Sequence, residues 1–469
     1  MVKIDPRIFR AYDIRGKFGQ QITEDLARLI GIGFGEDVKK RSGKKNPQIV
    51  VWRDARLSSP ALLEALKNGL QIADCNVLDM GETPSPLNYF TVCQLELDGG
   101  AQVTASHNPG DDNGIKLQLK DAAAFAGADL QRLREKVEDI QNSNFGIQNG
   151  KAKEIDAITP YLQHLKKMFG TIGKGIKIVV DFGNGVAGPV YAKALKNTGA
   201  TVVELFADPN GNFPNHPADP SKHSTLLHLL KTIHSEKADL GFAFDGDGDR
   251  LGVVDENGMI CTADEILLLL ARDYLKRNAG APVIFTVSNS SILETEIAKF
   301  GGKPIMCKVG HSFVEHAMRE HKAQLGGEQS GHFFCAEDYY GFDDALVAAL
   351  RVLKIAHDLP ISRSPDIPFS SLFSDFPKVF QAPERRPHCP DDRKGKIIES
   401  ITAHFQKLYP VNTLDGVRID FGAGAWAGIR QSNTSPCISI CMEARSPEKL
   451  DEVEQIVLAH LSSYPEVGD

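Results

Sequence analysis

The stretch IKIVVDFGNGVAGPVYAKALKNTGATVVEL, Ile176 to Leu205, decides the fold class. An apolar run at Ile176–Val180 reads as a strand, the segment through about Lys196 as a helix, and Thr201–Leu205 as the next strand. Strand, helix and strand in that order form the unit of a wound α/β layer with a largely parallel sheet. The same alternation surrounds it on both sides. Upstream, Ile49–Trp52 reads as a strand, followed by a helix from about Ser59, with Pro60 at its first turn, to Ile72. Downstream come a strand at Val283–Val287, a helix, a strand near Ile305 and a helix starting near Ser312. The last hundred residues change character: one helix at about 394–408, strands near 416–421, 426–430 and 437–443, and a closing helix. Ser446 caps that helix, Pro447 opens it, and Leu450, Val453, Val457 and Leu461 lie along one face.

The expected architecture is therefore α/β, with three similar mixed-sheet domains and a C-terminal α+β domain around a central cleft. The expected divisions are 1–152, 153–256, 257–368 and 369–469. A length of 469 residues accommodates that number. A formal charge of −8, with no Lys/Arg-rich tract, argues against a nucleic-acid binder. No apolar run is long enough for a membrane span. The eight cysteines contain no CxxC pair and are expected to be reduced, as in a cytoplasmic protein.

Two segments carry the chemistry. TASHNP, Thr104 to Pro109, presents the hydroxyl of Ser106 in a tight polar loop, with Asn113, Gly114 and Lys116 close behind. About 140 residues later DGDGDR, Asp245 to Arg250, alternates three carboxylates with glycine. Such a turn suits a hard divalent cation. A calcium-loop reading, with Glu256 at position twelve, fails because Arg250 occupies the place of the turning glycine and the flanks read as strands. A presented hydroxyl and a cation loop together point to phosphoryl transfer.

Further segments are weaker singly. GNGVAG, Gly183 to Gly188, with Glu204 about twenty residues on, matches the spacing of a dinucleotide fingerprint, but Asp181 would face a pyrophosphate with negative charge. Close packing of small residues explains it better. GGEQSGH, Gly326 to His332, presents Glu328, Ser330 and His332, groups suited to a polyhydroxy ligand. RQSNTSP, Arg430 to Pro436, combines a guanidinium with hydroxyls, as a phosphate cradle does. FRAYDIRG, Phe9 to Gly16, sets Tyr12 among Arg10 and Arg15.

In this order the segments FRAYDIRG, TASHNP with NGIK, DGDGDR, GEQSGH and RQSNTSP resemble the α-D-phosphohexomutase family over nearly the whole chain. SNT in the last loop and GFDDA, Gly341 to Ala345, are most similar to its bacterial mannose/glucose branch. The resemblance implies a mutase acting on hexose 6-phosphate and hexose 1-phosphate through a phosphoserine and a hexose 1,6-bisphosphate, with a glucosamine-phosphate mutase as the alternative. A divalent-cation scaffold without turnover is the non-enzymatic alternative. Ser106 would carry the phosphoryl group and, with Asp245, Asp247 and Asp249, hold one Mg²⁺ per chain. His107, Asn108, Lys116 and Arg250 would surround the phosphate, and Lys116 and His311 would move protons. Glu328 and Ser330, with Gln329, Gly331 and His332 of the same loop, would bind the sugar. Arg430, Ser432, Asn433 and Thr434 would hold the non-reacting phosphate, with Tyr12 and Arg15 lining the cleft. Partners would be small sugar phosphates, not nucleic acid or membrane, and the chain a monomer or weak homodimer. One position departs: Ser288, in FTVSNS, stands where related mannose/glucose enzymes carry a lysine.

Overall fold

A computed structural model describes residues 4–141, 149–359, 367–433 and 435–468. Its chain forms two compact units, Met1–Ile266 with Ser330–Leu372, and Leu267–Gln329 with Phe373–Asp469.

The first unit holds two mixed sheets. One runs in the order Ile14–Lys17, Asp112–Leu119, Gly99–Val103, Gln48–Arg53, Asn76–Glu82, Ala152–Glu154. Its inner strands are parallel, but Asp112–Leu119 lies antiparallel between its neighbours, pairing Lys116 with Gln102. Helices Glu24–Ser42 and Ser59–Ile72 bury Leu26, Ile30, Phe34, Leu62, Leu66 and Leu70 in the core beneath it. Both follow capping logic. Thr23 accepts a hydrogen bond from the backbone of Leu26 at the start of the first helix, and Pro60 sits in the first turn of the second.

The other sheet runs Ile260–Cys261, Leu251–Asp255, Leu240–Phe244, Lys177–Asp181, Thr201–Leu205. The strand–helix–strand segment read first from sequence lies here, with parallel pairing on both sides of Lys177–Asp181. The departure from a wholly parallel sheet has a local cause. Leu240–Phe244 turns straight back into Leu251–Asp255 as an antiparallel hairpin, with Phe244 opposite Leu251. Asp245–Arg250 is the connection of that hairpin, too short for a parallel crossover.

In the second unit, strands Lys303–Cys307, Pro282–Thr286 and Leu325–Gly327 are all parallel. The five strands Phe380–Gln381, Ile438–Ala444, Ala425–Gln431, Val417–Gly422 and Val411–Asn412 are all antiparallel. Ser446 caps the helix Pro447–Leu461 by accepting from the backbone of Lys449, and Val453, Val457 and Leu461 enter the core. This is the α+β organisation expected of the last hundred residues. Among the described residues none of the eight cysteines is in a disulfide, and no helix is long and apolar enough to cross a membrane.

Candidate active site

Ser106 follows the strand Gly99–Val103 and is buried. Its backbone is left-handed, with φ of +51°. For a residue with a Cβ that conformation costs about 1–2 kcal/mol and needs support. Support comes from Thr104, whose hydroxyl oxygen accepts from the Ser106 amide at 2.9 Å, and from the turn closed by the Asn108 amide on the Ala105 carbonyl at 3.0 Å. Ser106 Oγ donates to Asp245 Oδ2 at 2.7 Å and lies 3.1 Å from His107 Nδ1. The serine loop and the aspartate turn, 139 positions apart, therefore meet. Gly246 makes the approach possible, because a Cβ there would stand 2.6 Å from the Ser106 carbonyl oxygen.

Inside the turn the six carboxylate oxygens have different duties. Asp245 Oδ1 accepts from the backbone amides of Gly248, Asp249 and Arg250 at 3.0, 3.1 and 3.1 Å, which fixes the loop. Asp247 Oδ2 accepts from Lys116 at 2.9 Å and from Thr104 at 3.2 Å, and Asp249 Oδ2 accepts from Lys116 at 2.8 Å. Asp247 Oδ1 is buried with no hydrogen-bond partner. One oxygen from each of Asp245, Asp247 and Asp249 lies within 4.8 Å of the others, all three residues being buried. An orphaned buried carboxylate oxygen beside two more carboxylates is the donor set of a hard divalent cation. Burial, and then the charges of Asp249 and Asp247, push Asp245 well above the usual carboxylate range. A cation would relieve both effects.

Cations complete the surroundings. Burial opposes the charge of Lys116, yet Asp247 and Asp249 hold its pKa well above the ordinary value. Arg250 Nε lies 3.4 Å from His332 Nε2, which in turn is 3.3 Å from Asp249 Oδ1 and 3.9 Å from Asp343 Oδ2. Ser330 Oγ is 2.9 Å from His332 Nδ1, and the Gly331 carbonyl accepts from the Leu251 amide at 3.0 Å. Burial, then Arg250 and Arg15, push His107 well below its usual value. Arg15 donates to Asn108 Oδ1 at 2.8 Å and pairs with Asp13 at 2.7 Å. Tyr12 is half-buried in the turn that the Arg10 amide closes on the Asp13 carbonyl at 2.9 Å.

The remaining expected residues belong to the second unit, and the division between units falls between Gln329 and Ser330, inside GEQSGH. Glu328 is buried and accepts from the Gly310 amide at 2.6 Å, at the start of the helix His311–His321. Asn433 donates to the Val309 carbonyl at 3.0 Å, so the Val309–His311 segment joins the sugar loop to the last loop. Ser432 offers its hydroxyl oxygen to Arg386 at 3.3 Å and its carbonyl to Lys394 at 2.9 Å. Arg430 is the penultimate residue of the strand Ala425–Gln431 and donates to the Gln431 carbonyl at 3.1 Å. Gln329 Oε1 is 3.6 Å from Cys441 Sγ. Thr434 lies outside the described residues. Ser288 is buried, and Arg418 donates to the carbonyls of Val287 and Asn289 on either side of it.

Four domain families match successive stretches: phosphoglucomutase/phosphomannomutase alpha/beta/alpha domains I, II and III over residues 6–144, 159–258 and 262–378, and the C-terminal domain over 386–460. The chain is 38% identical to a phosphomannomutase/phosphoglucomutase of Pseudomonas aeruginosa, covering 96% of this chain and 94% of the relative. The chain belongs to the phosphoglucomutase/phosphomannomutase family. A phosphoglucomutase of Neisseria gonorrhoeae is 37% identical, covering 99% of each chain. A crystal structure of a phosphoglucomutase/phosphomannomutase family protein from Burkholderia thailandensis superposes with a TM-score of 0.88, at 36% identity and 99% coverage of both chains. Thr104, Arg386 and Lys394, which the sequence reading does not single out, contact expected site residues: Thr104 bonds Asp247, and Arg386 and Lys394 bond Ser432. Thr104 stood in the quoted hexapeptide, but Arg386 and Lys394 come to Ser432 only through folding.

Proposed function

We propose that this chain is a phosphohexomutase that interconverts hexose 6-phosphate and hexose 1-phosphate, with mannose and glucose as its hexoses. The observation that carries the reading is the hydrogen bond of 2.7 Å from Ser106 Oγ to Asp245, within a buried triplet of carboxylates. Phosphorylated Ser106 gives its phosphoryl group to the free hydroxyl of the sugar phosphate, and the serine oxygen takes up a proton. The hexose 1,6-bisphosphate so formed turns end for end, and Ser106 then takes the other phosphoryl group. Names of the relatives support mannose and glucose over glucosamine.

Asp245, Asp247 and Asp249 would hold one Mg²⁺, which supplies charge neutralisation for the transferring phosphoryl oxygens. Lys116, held as an ammonium between Asp247 and Asp249, adds fixed positive charge. His311 is the candidate for taking up the sugar hydroxyl proton and Lys116, as an ammonium, for giving one back, and Arg250, His107 and Asn108 steady the phosphate on Ser106. Glu328 and Ser330 grip the sugar hydroxyls, with Gln329, Gly331 and His332 completing the loop. Arg430, Ser432, Asn433 and Thr434 hold the non-reacting phosphate. Tyr12 and Arg15 line the phosphoserine side. Most of the acceleration comes from positioning and charge.

Intact mass and peptide mapping of the purified protein, followed by turnover of mannose, glucose and glucosamine 1-phosphates, test the reading. Phosphate on Ser106 and faster turnover of the first two sugars are expected. A Ser106→Ala protein with full mutase activity would refute the covalent route.

A further inference from the structure

Arg56, in the turn after the strand Gln48–Arg53, is fully buried although it is an arginine. All five of its side-chain N–H groups find oxygen acceptors. Nη2 donates to the carbonyls of Ser106 at 2.8 Å and Asn108 at 2.6 Å. Nη1 donates to the carbonyl of Asp112 at 3.0 Å and to that of Pro109. Nε donates to Asp54 Oδ2 at 3.0 Å. One planar group thus ties down four carbonyls of the loop that carries the reactive hydroxyl. Asp54 reaches the same loop from its other end, through the Ala105 amide at 3.4 Å, and is held by the Ser59 hydroxyl at 2.6 Å. The ring of Phe213 covers the guanidinium, 5.5 Å from its central carbon. Gly211 lets that cover approach, since a Cβ there would be 2.8 Å from Arg56 Cα.

We propose that Arg56 is a positioning residue for phosphoryl transfer: by holding the carbonyls of Ser106, Asn108, Pro109 and Asp112 it fixes the left-handed backbone that aims the Ser106 hydroxyl at the aspartate turn. The proposal rests on the reading of Ser106 as the group carrier. It is specific to a guanidinium. A lysine keeps the charge, but its three donors on a flexible stem do not reproduce a planar fork. The carbonyl of Ser106 faces both Arg56 and the Gly246 backbone, so a shift in one is passed to the other.

The test compares full-length wild type, Arg56→Lys and Arg56→Met. The measurements are kcat and KM for glucose 1-phosphate, and deuterium uptake by peptides covering residues 104–112 and 177–181. For Arg56→Met, kcat per folded molecule is expected to fall roughly 100-fold, the effect of misplacing a reacting atom by about 1 Å. KM should stay within about threefold, because sugar binding is left in place. Uptake should rise in 104–112 and not in 177–181. Arg56→Lys should fall between the two, and ethylguanidinium should restore part of the Arg56→Met turnover. Unchanged kcat and unchanged uptake in Arg56→Lys would overturn the proposal, even if Arg56→Met failed to fold. Absence of mutase turnover in wild type would instead remove the functional reading, and the uptake comparison would still decide whether Arg56 holds the loop.

Discussion

Two glycine-punctuated loops follow strands of the same sheet, and they do opposite work. Asp245–Arg250 turns its carboxylates toward Ser106, and its first glycine, Gly246, is needed for contact with the Ser106 loop. Gly183–Gly188 faces inward. A Cβ on Gly185 would lie 2.8 Å from the Gly246 carbonyl oxygen, one on Gly188 would lie 1.9 Å from that of Ala207, and one on Gly183 would lie 2.9 Å from the Ala218 side chain. The Val186 amide donates to the Gly246 carbonyl at 3.1 Å. The second loop is the buttress of the first. Glycine spacing after a strand therefore reports close backbone approach, and the residues between the glycines decide whether a ligand or another loop is what approaches.

The largest break in this comparison is expected from Asp245→Asn. It should lower kcat by on the order of 10³-fold, through loss of electrostatic stabilisation at the transferring group. Mg²⁺ should raise the melting temperature of wild type and not of the variant. Equal responses in calorimetry would show that the turn is not a cation site.

Next comes Gly246→Ala, whose methyl group would press on the Ser106 carbonyl. A drop in kcat of about 100-fold is expected, as for a reacting group displaced by about 1 Å. Turnover close to wild type would mean that the two loops are not rigidly matched.

Gly185→Ala should act mainly through stability, by about 1–3 kcal/mol in denaturant unfolding, as overpacking does. Its kcat per folded molecule should fall by less than roughly tenfold, since the perturbation is one loop removed from the serine. NADH at millimolar concentration should leave the melting temperature unmoved; a rise would restore the dinucleotide reading.

The smallest effect on turnover is expected from Asp344→Asn, which bonds to neither loop. Buried Asp344 caps the helix Ala345–Asp358 and accepts from Tyr161 at 2.9 Å and Tyr339 at 2.8 Å, and burial lifts its carboxyl to about 6. Between the ordinary value of 3.8 and about 6 the unfolded chain ionises while the folded chain keeps its proton. Stability is thus greatest below that window, falls as pH rises through it by up to about 3 kcal/mol, and levels off above. Unfolding curves at pH 4 and 7 should show this fall in wild type and a smaller one in the variant, with kcat unchanged.

Local chemistry made much of this legible in sequence. Asp245, Asp247 and Asp249 alternate within one turn, so a carboxylate cluster suited to a divalent cation is readable locally, and Ser446 with Pro447 announces a helix by rules confined to a few residues. Arg56 was invisible for the converse reason. Its partners are mostly backbone carbonyls, which every residue has, and they lie 50 or more positions away. GGEQSGH reads as one loop with three polar side chains together, and the boundary between the two compact units falls inside it, after Gln329. No local pattern marks such a division, because it depends on how strands on either side are packed.

The meeting of Ser106 with the aspartate turn also has a mechanical consequence. Thr104 and Lys116 from one sheet bond Asp247 of the next, and the Ser85 amide donates to the Asp247 carbonyl at 2.8 Å. The contact of Ser106 with the aspartate turn is thereby a seam that stitches the two sheets of the first unit. Damage to the chemistry should loosen the stitching, and heat or force that parts the layers should silence the chemistry before either layer melts.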